Sequence, residues 1–345
     1  HEELGDLAHS SVVEIGRATM ARMASPRVVL VNRHVREATL ITLEGGHPTE
    51  TTDLADRMRD RLVSAACAHE VGDRYDVLPD ALPASAWAAT CAPEHLAAAG
   101  HRMGRLGLLP EPERVDRYVS HELAALYQEF LGWRRMSEGM LFVYDPDLEA
   151  VVVTASGSWD VDKRALRRGE VTVLAPKPVD GHLQVLAPEG HDVKGPSVEA
   201  WEVCAFLAAA PTVRVSRTAS GSWALDPDGE REVPAIRGGV HAHVGVRHAD
   251  PAVIESVPPH RELYPYGFGC GTDLMAEVAA DTVTRSHAVN DPLDPRCYVR
   301  WPMLYHGEMA VELWKPGLSE QPLQGLLDAY AQSVDYTPDH VDQPL

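Results

Sequence analysis

The chain has 345 residues, enough for one large domain or two ordinary ones with a sizeable core; 45% are hydrophobic and 24% charged, which excludes a mainly disordered protein. A formal net charge of −20 leaves no basic stripe of the kind a nucleic-acid binder needs, and the densest basic stretch, Lys163 to Arg168, sits among acids. No apolar run approaches the roughly 18 residues that span a bilayer, and the start, His1-Glu2-Glu3-Leu4, has no basic region followed by an apolar one. The expectation is a cytoplasmic protein with no nucleic-acid or membrane partner. Five scattered cysteines without a CxxC pair read as reduced thiols rather than a disulfide framework, and four lysines leave few candidates for Schiff-base chemistry.

In chain order, residues 9–24 read as a helix and 27–44 as a strand pair (VVLVN, then ATLITL). An amphipathic helix is expected over 51–69, a Pro- and Ala-rich connector over 79–93, and a helix over 93–106. The run Leu109-Pro110-Glu111-Pro112-Glu113 breaks any helix and reads as a boundary. A helix over 117–135 follows, then strands over 140–144 and 150–154 joined by an Asp-Pro-Asp turn, and further strands over 170–174 and 182–186. Ser197 looks like the cap of a helix over 198–209 with Glu199 in its first turn. A strand over 239–246, a helix over 273–284, a strand over 297–305 and a last helix over 321–333 complete the series. Such alternation predicts an α/β layered domain. The segment TASGSW at residues 154–159 recurs at 218–223, which reads as two similar strand-to-loop turns rather than a duplicated module.

The sharpest chemical feature is His241-Ala242-His243 within a strand pattern. Alternate residues of a strand share a face, so both imidazoles can reach one ion. With 17 histidines in the chain, chance alone supplies about one such pair, so the pattern needs support. Support comes from His306-Gly307 at the end of another apolar strand and from Glu199 at a helix start, where the dipole favours a carboxylate able to bind metal or act as a base. Three neutral imidazoles and a carboxylate form a set that holds Zn²⁺, Mn²⁺ or Fe²⁺ and leaves room for substrate oxygens.

The order of these pieces resembles the class II aldolase/adducin family. That pattern runs Gly-Asn-(Ile/Val/Leu)-Ser, Thr-Pro-(Ser/Thr)-Gly, Ser-Ser-Glu, His-x-His and, some sixty residues later, His-Gly. Here Gly139-Met140-Leu141-Phe142, Thr154-Ala155-Ser156-Gly157, Ser197-Val198-Glu199, His241-Ala242-His243 and His306-Gly307 stand in the same order, and Gly107-Leu108 resembles the step that opens such domains. The resemblance implies a three-layer α/β/α fold with a mixed, mostly antiparallel central sheet. It would occupy residues 96–335, after an N-terminal extension over 1–95 and before a tail over 336–345. It implies His241, His243 and His306 as ligands of a divalent metal, zinc first and iron or manganese as alternatives. Glu199 would be the acid/base and a possible ligand before substrate arrives, with Ser156, Gly157 and Ser197 lining a pocket for an anionic group. The implied reaction is carbon–carbon cleavage or formation on a small hydroxy-carbonyl substrate through a metal-stabilised enediolate, in a homo-oligomer, by resemblance a tetramer.

Departures from the pattern shape the expectation. Met140 replaces the phosphate-binding Asn and Val198 the second Ser, so a simple sugar phosphate is not expected as substrate. Insertions separate Glu199 from His241 and occupy 111–119. Alternatives are a non-haem Fe(II) oxygenase on the same fold and a catalytically inactive adducin-like binding module; the complete ligand set argues against the latter. A cupin needs Glu four or five residues after HxH, where Arg247 and His248 stand. Gly267, Gly269 and Gly271 read as a flexible loop, and Tyr264, Tyr266, Tyr305 and His248 as structural or surface residues.

Overall fold

The computed structural model describes residues 74–109, 139–155, 163–242, 249–258, 271–303 and 308–332, together with the backbone pairing of seven short strand segments outside those ranges. The helices expected over 9–24 and 51–69, and nearly all of that over 117–135, lie outside the described residues.

In chain order, β1 (Arg27–Asn32), β2 (Glu37–Thr42) and β3 (Gly46–Thr49) form a small antiparallel sheet of their own, the first two being the expected pair. Strand β4 (Tyr75–Leu82) precedes helices α1 (Ala84–Ala89) and α2 (Ala92–Arg105). A two-residue pairing joins β5 (Glu113–Arg114) to β6 (Arg135–Met136). Then come β7 (Met140–Asp145), β8 (Ala150–Thr154), β9 (Val171–Leu174), β10 (Leu183–Pro188) and helix α3 (Ala200–Ala209). A small sheet of β11 (Thr212–Arg217), β12 (Trp223–Leu225) and β13 (Arg231–Pro234), with β11 in the middle, leads to β14 (Ile236–Ala242). The remaining elements are β15 (Gly245–Val246), β16 (Ile254–Ser256), α4 (Asp273–Arg285), α5 (His287–Asn290), β17 (Tyr298–Pro302), β18 (Glu308–Leu313), α6 (Gln324–Gln332) and β19 (Tyr336–Thr337).

Nine strands make the main sheet, in the order β16-β17-β18-β14-β7-β8-β9-β10-β4. Only the two outermost pairs, β16/β17 and β10/β4, are parallel; every inner pair is antiparallel. Strands β7 (MLFVYD) and β8 (AVVVT) are buried along their whole length, so both faces of the sheet are covered. Their alternation sorts the core into two halves. Met140, Phe142, Tyr144, Val151 and Val153 meet α3 and α4 through Val203, Phe206, Leu207, Val278 and Val283. Leu141, Val143, Ala150 and Val152 meet α2 and α6 through Leu96, Ala99, Met103, Leu326 and Leu327. The fold is therefore helix, sheet, helix, with a mixed and mostly antiparallel sheet, as expected. On the first face Phe206 packs tilted against Phe142 and edge-to-face against Trp301, with ring centroids 5.5 Å apart in each pair.

The structure corrects several sequence readings. The Pro-rich connector over 79–93 contains an edge strand and a helix: Pro79 sits in β4, where an edge position tolerates the missing N–H. Through β4 and α1 the sheet and its second core take up residues from the segment read as the extension, Leu82 and Trp87 among them. Ser197 is not the helix cap; α3 begins at Ala200 with Glu199 in the cap position. The insertion before β14 is a three-stranded antiparallel sheet, and the second TASGSW forms the β11–β12 hairpin turn, with the Gly221 N–H donating to Thr218 O at 2.9 Å. The first copy starts at the last residue of β8, and most of it lies outside the described residues.

The loop after α5 carries a pH-dependent anchor. Arg296 donates to both carboxylate oxygens of Asp294 and holds that carboxyl far below the usual range, with His287 Nδ1 2.7 Å away adding to the hold. A depressed folded value means that this stability is complete above the ordinary carboxylate value of about 4 and is lost as pH falls below it. Asp294→Asn is expected to lower the urea midpoint at neutral pH. The gap from the parent protein should narrow between about pH 5 and pH 2; a gap constant across that window would rule out the charge as its source.

Candidate functional site

Strand β14 carries His241 between β18 and β7, paired with Met309 on one side and Met140 on the other. Val240 and Ala242 point into the second core, so alternation turns His241 to the α3 face, where its side chain is wholly buried. Two glycines make room for this strand. At Gly239 an added Cβ would strike the Phe142 ring and Ala310 O, each at 2.6 Å. Gly139 has φ +82°, and a Cβ there would come within 2.8 Å of the His241 carbonyl oxygen.

The His241 ring is held from behind: Nδ1 donates to the backbone carbonyl of Glu308 at 3.1 Å. A carbonyl oxygen only accepts, so the proton must sit on Nδ1. In the neutral ring the Nε2 lone pair then points away from β18, and Nε2 lies 3.9 Å from Glu199 Oε1. Glu199 is itself buried at the start of α3, where the positive end of the helix dipole favours a negative group. Its other oxygen, Oε2, accepts from the Ser197 hydroxyl. Ser197 is tied in turn by its N–H to Thr154 O at 3.1 Å, so the end of β8 and the start of α3 are joined beside the carboxylate.

A lone pair facing a carboxylate across this gap suits a cation between them, a proton on Nε2 or a metal ion. The 3.9 Å separation exceeds a hydrogen bond and falls within the span of two ligand bonds of about 2.1 Å each. Both atoms are hard or borderline donors of the kind that hold zinc, iron or manganese. The residues present fit a divalent ion on that test. Among the described residues no group of three or more His, Cys, Asp or Glu side chains is gathered as a metal site. His243, His306, Ser156 and Gly157 lie outside the described residues. The structure thus brings together Glu199, His241 and Ser197, with the Ser197 hydroxyl engaged by Glu199 rather than presented to a substrate.

Two carboxylates near the site escape sequence reasoning. Glu202, one turn after Glu199 and fully buried, accepts the Gly271 N–H at 2.6 Å, immediately before α4. Glu308 supplies the carbonyl that orients His241. The only signal for Glu308 was its position two residues after His306.

No helix among the described residues is long and apolar enough to cross a membrane. No protein-family model matches this sequence, and no curated protein matches it either. Among solved structures, one titled L-fuculose 1-phosphate aldolase is similar at a TM-score of 0.37 and 12% identity, over 72% of this chain and 86% of that one. A score so low establishes neither a shared family nor a shared site, and the reading of the site rests on its own geometry.

Proposed function

We propose that this chain is a metal-dependent lyase of the aldolase type, acting on a small hydroxy-carbonyl substrate. The observation that carries the reading is the buried Glu199 carboxylate facing Nε2 of a His241 whose tautomer is fixed from behind. His243 and His306 would complete the ligand set with His241, around zinc in the first instance and iron or manganese as alternatives. A divalent ion held there supplies the Lewis acidity that draws charge onto neighbouring hydroxyl and carbonyl oxygens of a substrate.

The protein's own part is proton movement and positioning. Glu199 takes the proton from the substrate hydroxyl as the adjacent carbon–carbon bond breaks, and returns it to the carbon that keeps the electron pair. Ser197, donating to Oε2, holds the carboxylate in one rotamer so that Oε1 is the working atom. Ser156 and Gly157, with Ser197, would line the pocket for an anionic group of the substrate. A sugar phosphate is disfavoured, because Met140 is a buried apolar side chain with no donor to offer. The proposal extends to a catalytic unit over 96–335, completed by β4 and α1 of the preceding segment, a cytoplasmic setting and a homotetramer.

Metal analysis of protein purified without added ions tests the reading. About one zinc per chain is expected. Iron accompanied by oxygen uptake would replace the lyase with an oxygenase on the same fold. A site that stays empty when ions are added would leave a binding module.

A further inference from the structure

We propose that Glu308, clamped by Tyr330 and Arg300, is a positioning residue: its backbone carbonyl aims His241 at Glu199, and its side chain prevents that carbonyl from moving. The inference rests on the reading of His241 as a metal ligand and adds to it three residues of the opposite face of the sheet.

Glu308 opens β18 and pairs with Ala242 of β14 and Pro302 of β17. Its carbonyl lies in the sheet and accepts the His241 proton, while its side chain is buried on the α6 side. There Oε1 accepts the Tyr330 hydroxyl of α6 at 2.6 Å, and Oε2 accepts Arg300 Nη1 of β17 at 3.0 Å. Arg300 Nε donates onward to Ser256 Oγ of β16 at 3.0 Å. A polar chain thus runs from the edge strand β16 through β17 to β18 and on to α6, and it passes through Glu308, whose backbone carbonyl holds the His241 ring. Burying a carboxylate is costly, and an apolar residue of similar size would serve packing at least as well. The clamp adds direction instead. With both carboxylate oxygens tied to different elements, the first residue of β18 can neither slide along β14 nor rotate, and the His241 Nε2 vector is set. Outer partners that orient a ligating histidine in this way commonly alter metal affinity by about 10–100-fold when removed.

Three variants of the full chain separate this from a merely structural role. Tyr330→Phe removes one hydroxyl, Glu308→Gln keeps an acceptor for Tyr330, and Glu308→Leu abolishes the clamp. Zinc affinity is measured by chelator competition, the visible spectrum is recorded on protein loaded with Co²⁺, and thermal unfolding is followed on metal-free protein. Expected are roughly tenfold weaker zinc binding for Tyr330→Phe, up to about 100-fold for Glu308→Leu, a smaller loss for Glu308→Gln, and an altered Co²⁺ spectrum in the first two. Variants that unfold earlier without metal but keep parental affinity and spectrum overturn the inference alone, provided His241→Ala abolishes binding in the same assay. A parent protein that binds neither ion overturns the metal reading and this inference with it.

Discussion

Replacing His241 with alanine is expected to leave a folded protein from which the metal is gone. The two nitrogens of this imidazole have separate duties, one anchored on the Glu308 carbonyl and the other facing Glu199. Alanine removes both. The Glu308 carbonyl, deep between strands, loses its side-chain donor, at a cost of roughly 1–3 kcal/mol. That is a fraction of the 5–15 kcal/mol typical of a domain, so folding should survive. Metal binding should not, because Glu199 would face the space left by the imidazole between Met140 and Met309, the register partners of His241. Elemental analysis and far-ultraviolet circular dichroism on the same sample give the two halves of the result. Full metal content in the variant would dismiss His241 as a ligand whatever becomes of activity.

Glu199→Gln should divide the site the other way, keeping the metal and losing the chemistry. The amide has nearly the shape of the carboxylate, and its carbonyl can still accept from Ser197, so the contact between β8 and α3 persists. What disappears is a group able to take up a proton. Loss of a positioned general base typically slows turnover by about 10²–10⁴. The measurement is the rate of cleavage of a small hydroxy-carbonyl compound that the parent protein turns over, with metal content determined in parallel. Parental rates would remove Glu199 from the reaction; metal lost together with turnover would recast it as an obligatory ligand.

Much of the architecture is legible in the sequence because its central strands are unambiguous. MLFVYD and AVVVT are short apolar runs of β-branched and aromatic residues on either side of an Asp-Pro-Asp turn, and the turn forms as those residues demand, with Asp145 Oδ1 accepting the Asp147 N–H at 2.8 Å. Helices α2 and α4 fall within a residue or two of expectation. Strand β18 was not legible. Its sequence, EMAVEL, sets a glutamate at each end of an apolar triplet, and both glutamates are buried. Glu312 is paired with Arg237 at 3.1 Å and Glu308 with Arg300, partners at the far side of strands that only tertiary structure brings near. β4 was hidden for a related reason: proline argues against a strand unless that strand is known to lie at an edge. Of the site, residue type and order single out Glu199 and His241 and the resemblance expects them at one centre, where the fold sets them 3.9 Å apart; Glu308 and Tyr330 act through the fold and carry no local motif.

The small sheet between α3 and β14 joins the body at a narrow neck. The Ala235 N–H donates to Pro211 O at 2.7 Å, and Ala235 O accepts from the Trp314 N–H at 2.9 Å, so the excursion leaves and returns at nearly one point. Val215 and Val233 are its buried contribution to the interior. Because its two ends already meet, the stretch separating the carboxylate from the imidazole can lengthen or shorten over generations without disturbing either group. Spacing between the two along the chain is therefore a poor guide to kinship, and their meeting in space is the trait that selection can hold constant.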